Sequence, residues 1–353
     1  MKKRREYVAV LAFLAAIIGI SGCSRQKEEK LTKYDTQFFE LFDTVTSVTG
    51  YARDEKTFQS YVDVFYDELK EYHQLYDIYN DYEGINNIKT INDHAGIEPV
   101  EVDDKIIQML EEAVDIYELT DGNMNVAMGS VLSIWHEYRE AGLKHPEQAQ
   151  LPPQEELEEA AKHMDIRKMV IDPEKKTVYL EDPDMSLDVG AIAKGYAAEM
   201  ASRKVEEAGL KHALISVGGN IRCIGTKPDG QKWVVGVQNP DTTSGERYLH
   251  RLGLDGMSLV TSGTYQRYYT VDGVNYHHII HPKLLKPWDR YSSVSILSAD
   301  SGMADALATA VFNMELKDGK KLIESQDGVE AMWIKADGTE HYSSGFQNDM
   351  LND

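Results

Sequence analysis

Asp305 and Thr309 stand four residues apart in the run Ser301-Gly302-Met303-Ala304-Asp305-Ala306-Leu307-Ala308-Thr309. On a helix, that spacing puts a carboxylate and a hydroxyl on one face. Such oxygens suit a hard cation such as Mg²⁺, which keeps waters and takes further ligands from phosphate. An aspartate in a first helical turn is also favourable with no ligand at all. Asp188 and Lys194 flank a second candidate, Asp188-Val189-Gly190-Ala191-Ile192-Ala193-Lys194. There, small residues open a predicted helix and leave its first N–H groups uncovered. Uncovered N–H groups at the positive end of a helix attract phosphate, and Lys194 adds a full charge. A plain strand-to-helix turn with a tight helix crossing explains the same residues. A third group is Tyr265, Arg267, Tyr268, Tyr269, His277 and His278, gathered on one predicted hairpin. Alternate residues of a hairpin share a face, and histidine is the natural proton acceptor near neutral pH. Two loops could approach a ligand at strand ends, Gly218-Gly219-Asn220 and Thr261-Ser262-Gly263. The chain has no G-x-G-x-x-G, no Walker A loop and no cysteine-rich zinc pattern.

The elements that must position these groups can be read from periodicity. Phe38–Tyr51 alternates with β-branched residues and predicts a strand. Phe58, Val62, Phe65, Leu69, Tyr72 and Tyr76 form one helical stripe, and Tyr76–Asn92 reads as irregular. Asp103 or Asp104 can cap a helix that carries Ile106, Leu110 and Ala113 and stops near Asp121-Gly122. The central helix runs to Ala208, with Gly209 as its cap and a slim face of Ala193, Ala197, Ala201 and Val205. Ala213–Val217 reads as a buried strand. Ile221–Gly225 and Trp233–Gln238 are expected to pair, as are Tyr265–Val271 and Val274–Ile280 across Asp272-Gly273. Val294–Leu297 and Ala331–Lys335 complete the strands around the Ser301–Ala310 helix. Hairpin-joined strands with interspersed helices imply an α+β fold, a single large domain of largely antiparallel sheet.

Composition narrows the function classes. The 353 residues are 42% hydrophobic and 27% charged, an ordinary globular composition. The formal charge of −22 argues against nucleic acid as a partner and against general attraction to anionic membranes. Two cysteines, Cys23 and Cys223, imply no disulfide framework. The N-terminus reads as an export signal, with bases at Lys2, Lys3, Arg4 and Arg5 and an apolar run from Tyr7 to Ile20. Ile20-Ser21-Gly22-Cys23 looks like a bacterial lipobox, whose cysteine is acylated. The expected organisation is a lipoprotein signal over residues 1–22, lipidated Cys23 with a polar tether over 23–33, and a catalytic domain over 34–353. Lipid would hold the domain on the extracytoplasmic face of the cell membrane.

Five ordered runs resemble the FAD:protein FMN transferase (ApbE-like) family. They are Asp188 to Ala197, Ser216 to Ile221, Thr261-Ser262-Gly263 with Tyr265 and Arg267, His278-Ile279-Ile280-His281-Pro282, and Ala304 to Thr309. The resemblance implies an ApbE-like, T-fold-related architecture. It also implies an Mg²⁺-dependent enzyme that passes FMN from FAD to a threonine hydroxyl of an exported protein and releases AMP. The acceptor would be a redox-pump subunit or a related FMN-bearing domain. The resemblance places FAD contacts at Phe42, Tyr79, Asn123, Met124, Asn125, Asp188, Lys194 and Ile279. It places Mg²⁺ ligands at the Ala191 carbonyl, Asp305 and Thr309, with His278 as the candidate base. Departures from the family pattern are His281 for aspartate, Lys283 for arginine, Phe42-Asp43-Thr44 for M-G-T, and Asn125 for the more frequent aspartate. They bear on the flavin end and on target choice. The alternatives are an FAD pyrophosphatase, a non-catalytic FAD-binding lipoprotein and a structural surface lipoprotein.

Overall fold

The computed structural model describes residues 30–351. The predicted export signal and Cys23 lie outside the described residues. Eight strands form one wholly antiparallel sheet whose spatial order follows the chain. They are Thr32–Phe38, Thr46–Ala52, Ala213–Val217, Asn220–Ile224, Ser258–Gly263, Tyr291–Ser298, Glu330–Lys335 and Glu340–Tyr342. The sheet is thus a meander, and the helices are carried by long insertions between its strands. The α+β expectation holds, with antiparallel sheet and interspersed helices in one unit.

Side chains alternate between two faces, as the period of a strand requires. Ala213, Ile215 and Val217 point into a core shared with the helices α1 (Glu55–Tyr76), α2 (Asp104–Leu119) and, further along the chain, Ala193–Glu207. Cys223, Leu259 and Leu297 belong to a core on the opposite side, with Trp233 and Leu252 of the Trp233–Gln238/Tyr248–Leu254 hairpin. Asp54 caps α1 by accepting the Thr57 N–H at 2.7 Å, and the stripe from Phe58 to Tyr76 is buried as its spacing predicts. A third helix, α3 (Gly129–Lys144), packs on the small hairpin Tyr268–Val271/Val274–His277 through Val131, Trp135 and Tyr269. A Cβ on Gly142 would come 2.7 Å from Tyr269, so glycine permits that close approach.

Several local expectations need correction. The single strand over Phe38–Tyr51 is two strands, divided by a turn in which Phe42 and Asp43 take φ of +54° and +50°. The first strand begins at Thr32, inside the stretch expected to be a tether. The Tyr76–Asn92 segment contains a short helix, Ile88–Asp93, closed by a capping box between Asn87 and Thr90. Asn220–Ile224 pairs with Ala213–Val217, and Trp233–Gln238 pairs with Tyr248–Leu254 instead. The reason is Gly218-Gly219, whose φ values of +57° and +95° make the two-residue turn that closes a hairpin directly.

Candidate active site

The centre of the site is a crossing between α4 (Ala193–Glu207) and α5 (Ser301–Phe312). A Cβ at Gly195 would lie 2.3 Å from the Ser301 carbonyl and 2.4 Å from Asp305 Cβ. Only glycine lets the helices approach this closely. At the contact, the Gly195 N–H donates to Asp305 Oδ2 at 2.8 Å. The crossing expected from the small residues is therefore present, but the first-turn N–H groups are not all uncovered. One is taken by the protein's own carboxylate.

That hydrogen bond has a second effect. α4 starts at Ile192, whose carbonyl accepts the Tyr196 N–H, and Gly195 turns outward to Asp305 instead of back along the chain. Ala191 lies one residue before the cap, and its carbonyl accepts no hydrogen bond among the described residues. Asp305 is 5% exposed, and its Oδ1 likewise accepts none among the described residues. Burial pushes the Asp305 carboxyl above its ordinary range, against the opposing pull of Lys194, the Gly195 N–H and the Asn220 amide. Asn220 Nδ2 is itself buried without a hydrogen-bond partner. Thr309 follows Asp305 by one turn on the same face of α5. Carbonyl, carboxylate and hydroxyl oxygens are the donor set of a hard cation, and three of them leave room for water or phosphate. These residues fit Mg²⁺.

The crossing is clamped from behind. Glu199, 1% exposed, accepts from Arg222 Nε and from Arg203 Nε at 2.9 Å, and from the Ser301 N–H at 3.0 Å. Arg203 also reaches Asp300, which caps α5 through the Met303 N–H. Glu199 therefore ties α4, one turn beyond Gly195, to the first residue of α5. Sequence reading passed over it; the signal was a glutamate set within the run of small residues on a buried face.

A cleft of about 190 Å³ is lined by Tyr79, Ser133, His136 and Asp188, the last in the segment that leads into α4. Tyr79 and His136 face each other with ring centroids 5.5 Å apart. Asp188 Oδ1 accepts the Gly190 N–H at 2.9 Å, and burial pushes its carboxyl up against that bond and against His136 and Arg139. His278 is half-buried, with Nδ1 at 3.2 Å from the Arg267 carbonyl. A carbonyl can only accept, so Nδ1 carries the proton and Nε2 holds a free lone pair. Burial, with the Arg267 and Arg139 charges, pushes His278 down to about 3 and keeps it neutral at ordinary pH. His277 is the structural member of the pair, buried, with Nδ1 accepting the Ile279 N–H at 3.2 Å.

The remaining expected residues are more committed to the scaffold. Phe42 packs edge-on to His73 at 5.4 Å in the turn that rests on Gly218 through Thr44. Asn123 donates to the Thr120 carbonyl, and Met124 is buried. Asn125 caps a short 3-10 turn by accepting from Ala127 N and donates to the Met164 carbonyl. Ile279 is buried in the core behind α5. His281 explains its own departure from aspartate. Its Nδ1 accepts the Lys283 and Leu284 N–H groups at 3.0 and 3.3 Å, the bonds a turn-forming carboxylate would take.

The fold is α+β, and the candidate site combines a tight helix crossing with a small cleft. The chain belongs to the ApbE family, whose model matches residues 42–333. A protein of Treponema pallidum (strain Nichols) named FAD:protein FMN transferase is 34% identical over 272 residues, 73% of each chain. One of the same name from Vibrio cholerae serotype O1 is 27% identical over 337 residues, 95% of this chain and 96% of its own. Among solved structures, the ApbE protein of Thermotoga maritima MSB8 superposes with a TM-score of 0.79 at 28% identity, covering 91% of this chain and all of that one.

Proposed function

We propose that this chain is an FAD:protein FMN transferase that moves FMN from FAD to a threonine hydroxyl of an exported acceptor protein. The observation that carries the reading is the α4–α5 crossing, where the Gly195 N–H goes to Asp305 Oδ2 and leaves the Ala191 carbonyl and Asp305 Oδ1 without partners among the described residues, one turn of α5 from Thr309. Those three oxygens would hold Mg²⁺, which when bound supplies positive charge against the pyrophosphate. Lys194 adds a protein charge at the same place. Tyr79, Asp188 and the 123–125 loop would hold the flavin nucleotide, with Phe42 and Ile279 packing behind. His278 Nε2 is the proton acceptor. The threonine oxygen bonds to the FMN phosphorus and its proton passes to Nε2. The P–O bond to the AMP phosphate breaks, and AMP leaves with the bridging oxygen and its electron pair.

We also propose that Cys23 carries the lipid that anchors the enzyme outside the cytoplasmic membrane. No helix among the described residues is long and apolar enough to cross a membrane. Cys23→Ser should leave catalysis intact and move the protein from the membrane fraction to the soluble one; a variant that stays membrane-bound has another anchor.

The test is an intact-mass measurement. Enzyme, FAD and Mg²⁺ are incubated with a flavin-acceptor domain and with its threonine-to-alanine variant. An FMN-sized adduct on the first and none on the second is the expected result. Free FMN and AMP without adduct would make the enzyme a pyrophosphatase, and intact FAD would make it a binding protein.

A further inference from the structure

A groove of about 740 Å³ lies between a sixth helix, α6 (Leu316–Glu324), and the last strand of the sheet, Glu340–Tyr342. It shares no lining residue with the cleft of Tyr79 and Asp188. The family match ends at residue 333, so the strand that forms one wall lies beyond it.

That strand is a free edge. Its one neighbour in the sheet is Glu330–Lys335. The Lys335 N–H donates to the Thr339 carbonyl, and the Ser343 N–H to the Ala331 carbonyl, both at 2.9 Å. Bonded and non-bonded pairs alternate along an antiparallel ladder, so Trp333 and His341 form the bonded pair between those two. The N–H and C=O groups of Glu340 and Tyr342 therefore point away from the sheet. Such a row of outward backbone groups is a template for another strand. On the side-chain level, Trp333 packs with Leu322 and Ile323 of α6, so His341 opposite it stands on the α6 side. His341 lines the groove, and its Nε2 is buried without a hydrogen-bond partner.

The helical wall is cationic. Lys317, Lys320 and Lys321 line it, in a chain of net charge −22. Two acids also line the groove, and both are engaged: Glu324 lies 3.7 Å from Lys320, and Glu315 pairs with Arg290. Lys317 and Lys321 have no carboxylate within 4 Å among the described residues. They stand one turn apart, so both project from the same face of α6.

We propose that this groove takes an extended, acidic segment of a partner protein as an added strand. The segment's backbone bonds to Glu340 and Tyr342, and its carboxylates meet Lys317 and Lys321. Main-chain bonds to a sheet edge supply affinity, and the lysines select the charge of what binds. This surface goes beyond the transferase reading and does not rest on it.

The experiment uses the full chain and a fluorescein-labelled peptide of about eight residues that alternates glutamate and valine, the period of a strand. Binding is read by anisotropy. A second peptide has lysine in place of glutamate, and a third is the acidic peptide with N-methyl groups on alternate backbone nitrogens, which removes the hydrogen bonds of one edge. The acidic peptide should bind, more weakly as salt rises, and the other two should bind at least about 10-fold less. Lys317→Glu combined with Lys321→Glu should weaken the acidic peptide by about 10-fold or more, and the milder pair Lys317→Gln with Lys321→Gln by less. Parent-like melting shows that a variant is folded, and the milder pair decides if the reversed one is not. No binding of the acidic peptide, equal binding of the lysine peptide, or affinities unchanged in the variants overturns the proposal. A parent dimer in sedimentation that the lysine variants dissociate would assign the groove to a second copy of this chain, and would overturn it as well.

Discussion

Asp305 and Asp182 are both buried carboxylates, 5% and 7% exposed, and their surroundings are opposite. Asp182 Oδ2 takes Lys168 Nζ at 2.7 Å, and its Oδ1 takes His163 Nδ1 at 2.9 Å and the Asp184 N–H at 3.1 Å. The Lys168 hydrogen bond, with His163, pulls its carboxyl down to about 2. His163, Asp182 and Asp184 stand close enough to suit a metal ion by residue type alone. Yet each Asp182 oxygen already has its partner, so a cation there would have to displace Lys168. Asp305 has one oxygen satisfied and one free, and burial pushes it up. A satisfied carboxylate holds the fold together, whereas an unsatisfied one beside freed backbone oxygens is ready for a ligand.

Substitutions can break or sharpen this contrast. The largest effect should come from Asp305→Asn: FMN transfer falls by about 100-fold or more while the melting temperature stays level or rises, because a costly buried charge is gone. A melting temperature that falls along with activity would make Asp305 structural. Gly195→Ala comes next, since its Cβ meets Ser301 O and Asp305 Cβ. It should lose both transfer and about 1–3 kcal/mol in denaturant titration; a variant as active and stable as the parent would remove the tight crossing from the site.

Asp182→Asn should act on stability alone, with a pH signature. A carboxyl depressed from 3.8 to about 2 in the folded state stabilises fully above its ordinary value. That contribution fades as pH falls from about 4 towards 2. The difference in melting temperature between parent and variant should therefore shrink across this window; a constant difference would deny the ion pair. The smallest effect is expected for His281→Asp. The carboxylate can accept the same two N–H groups, so stability should change by less than about 1 kcal/mol. A larger loss would show that the ring's edge-on contact with Trp288, at 5.0 Å, matters more than the turn.

Much of this was legible in sequence, where the signal was local. The i, i+4 spacing of Asp305 and Thr309, the alanine face of α4 and the Asp272-Gly273 turn each depend on a few consecutive residues. The freed Ala191 carbonyl was reached only through resemblance, since it exists because Gly195 bonds to a residue 110 positions away. His136 was missed because no local motif marks it, and its place against Tyr79 exists only in the folded chain. The strand partners of Asn220–Ile224 were misassigned because two turn signals competed, and the tighter glycine pair won. His281 looked like a defect in the motif, yet an imidazole nitrogen can form the same turn as a carboxylate.

The most direct measurement is AMP released from FAD in the presence of acceptor, with Asp305→Asn and Asp182→Asn assayed side by side and scaled to folded protein. Parent-like release from the Asp182 variant and almost none from the Asp305 variant is the expected result. Comparable release from both, or a loss confined to the Asp182 variant, would contradict the placement of the chemistry at the α4–α5 crossing.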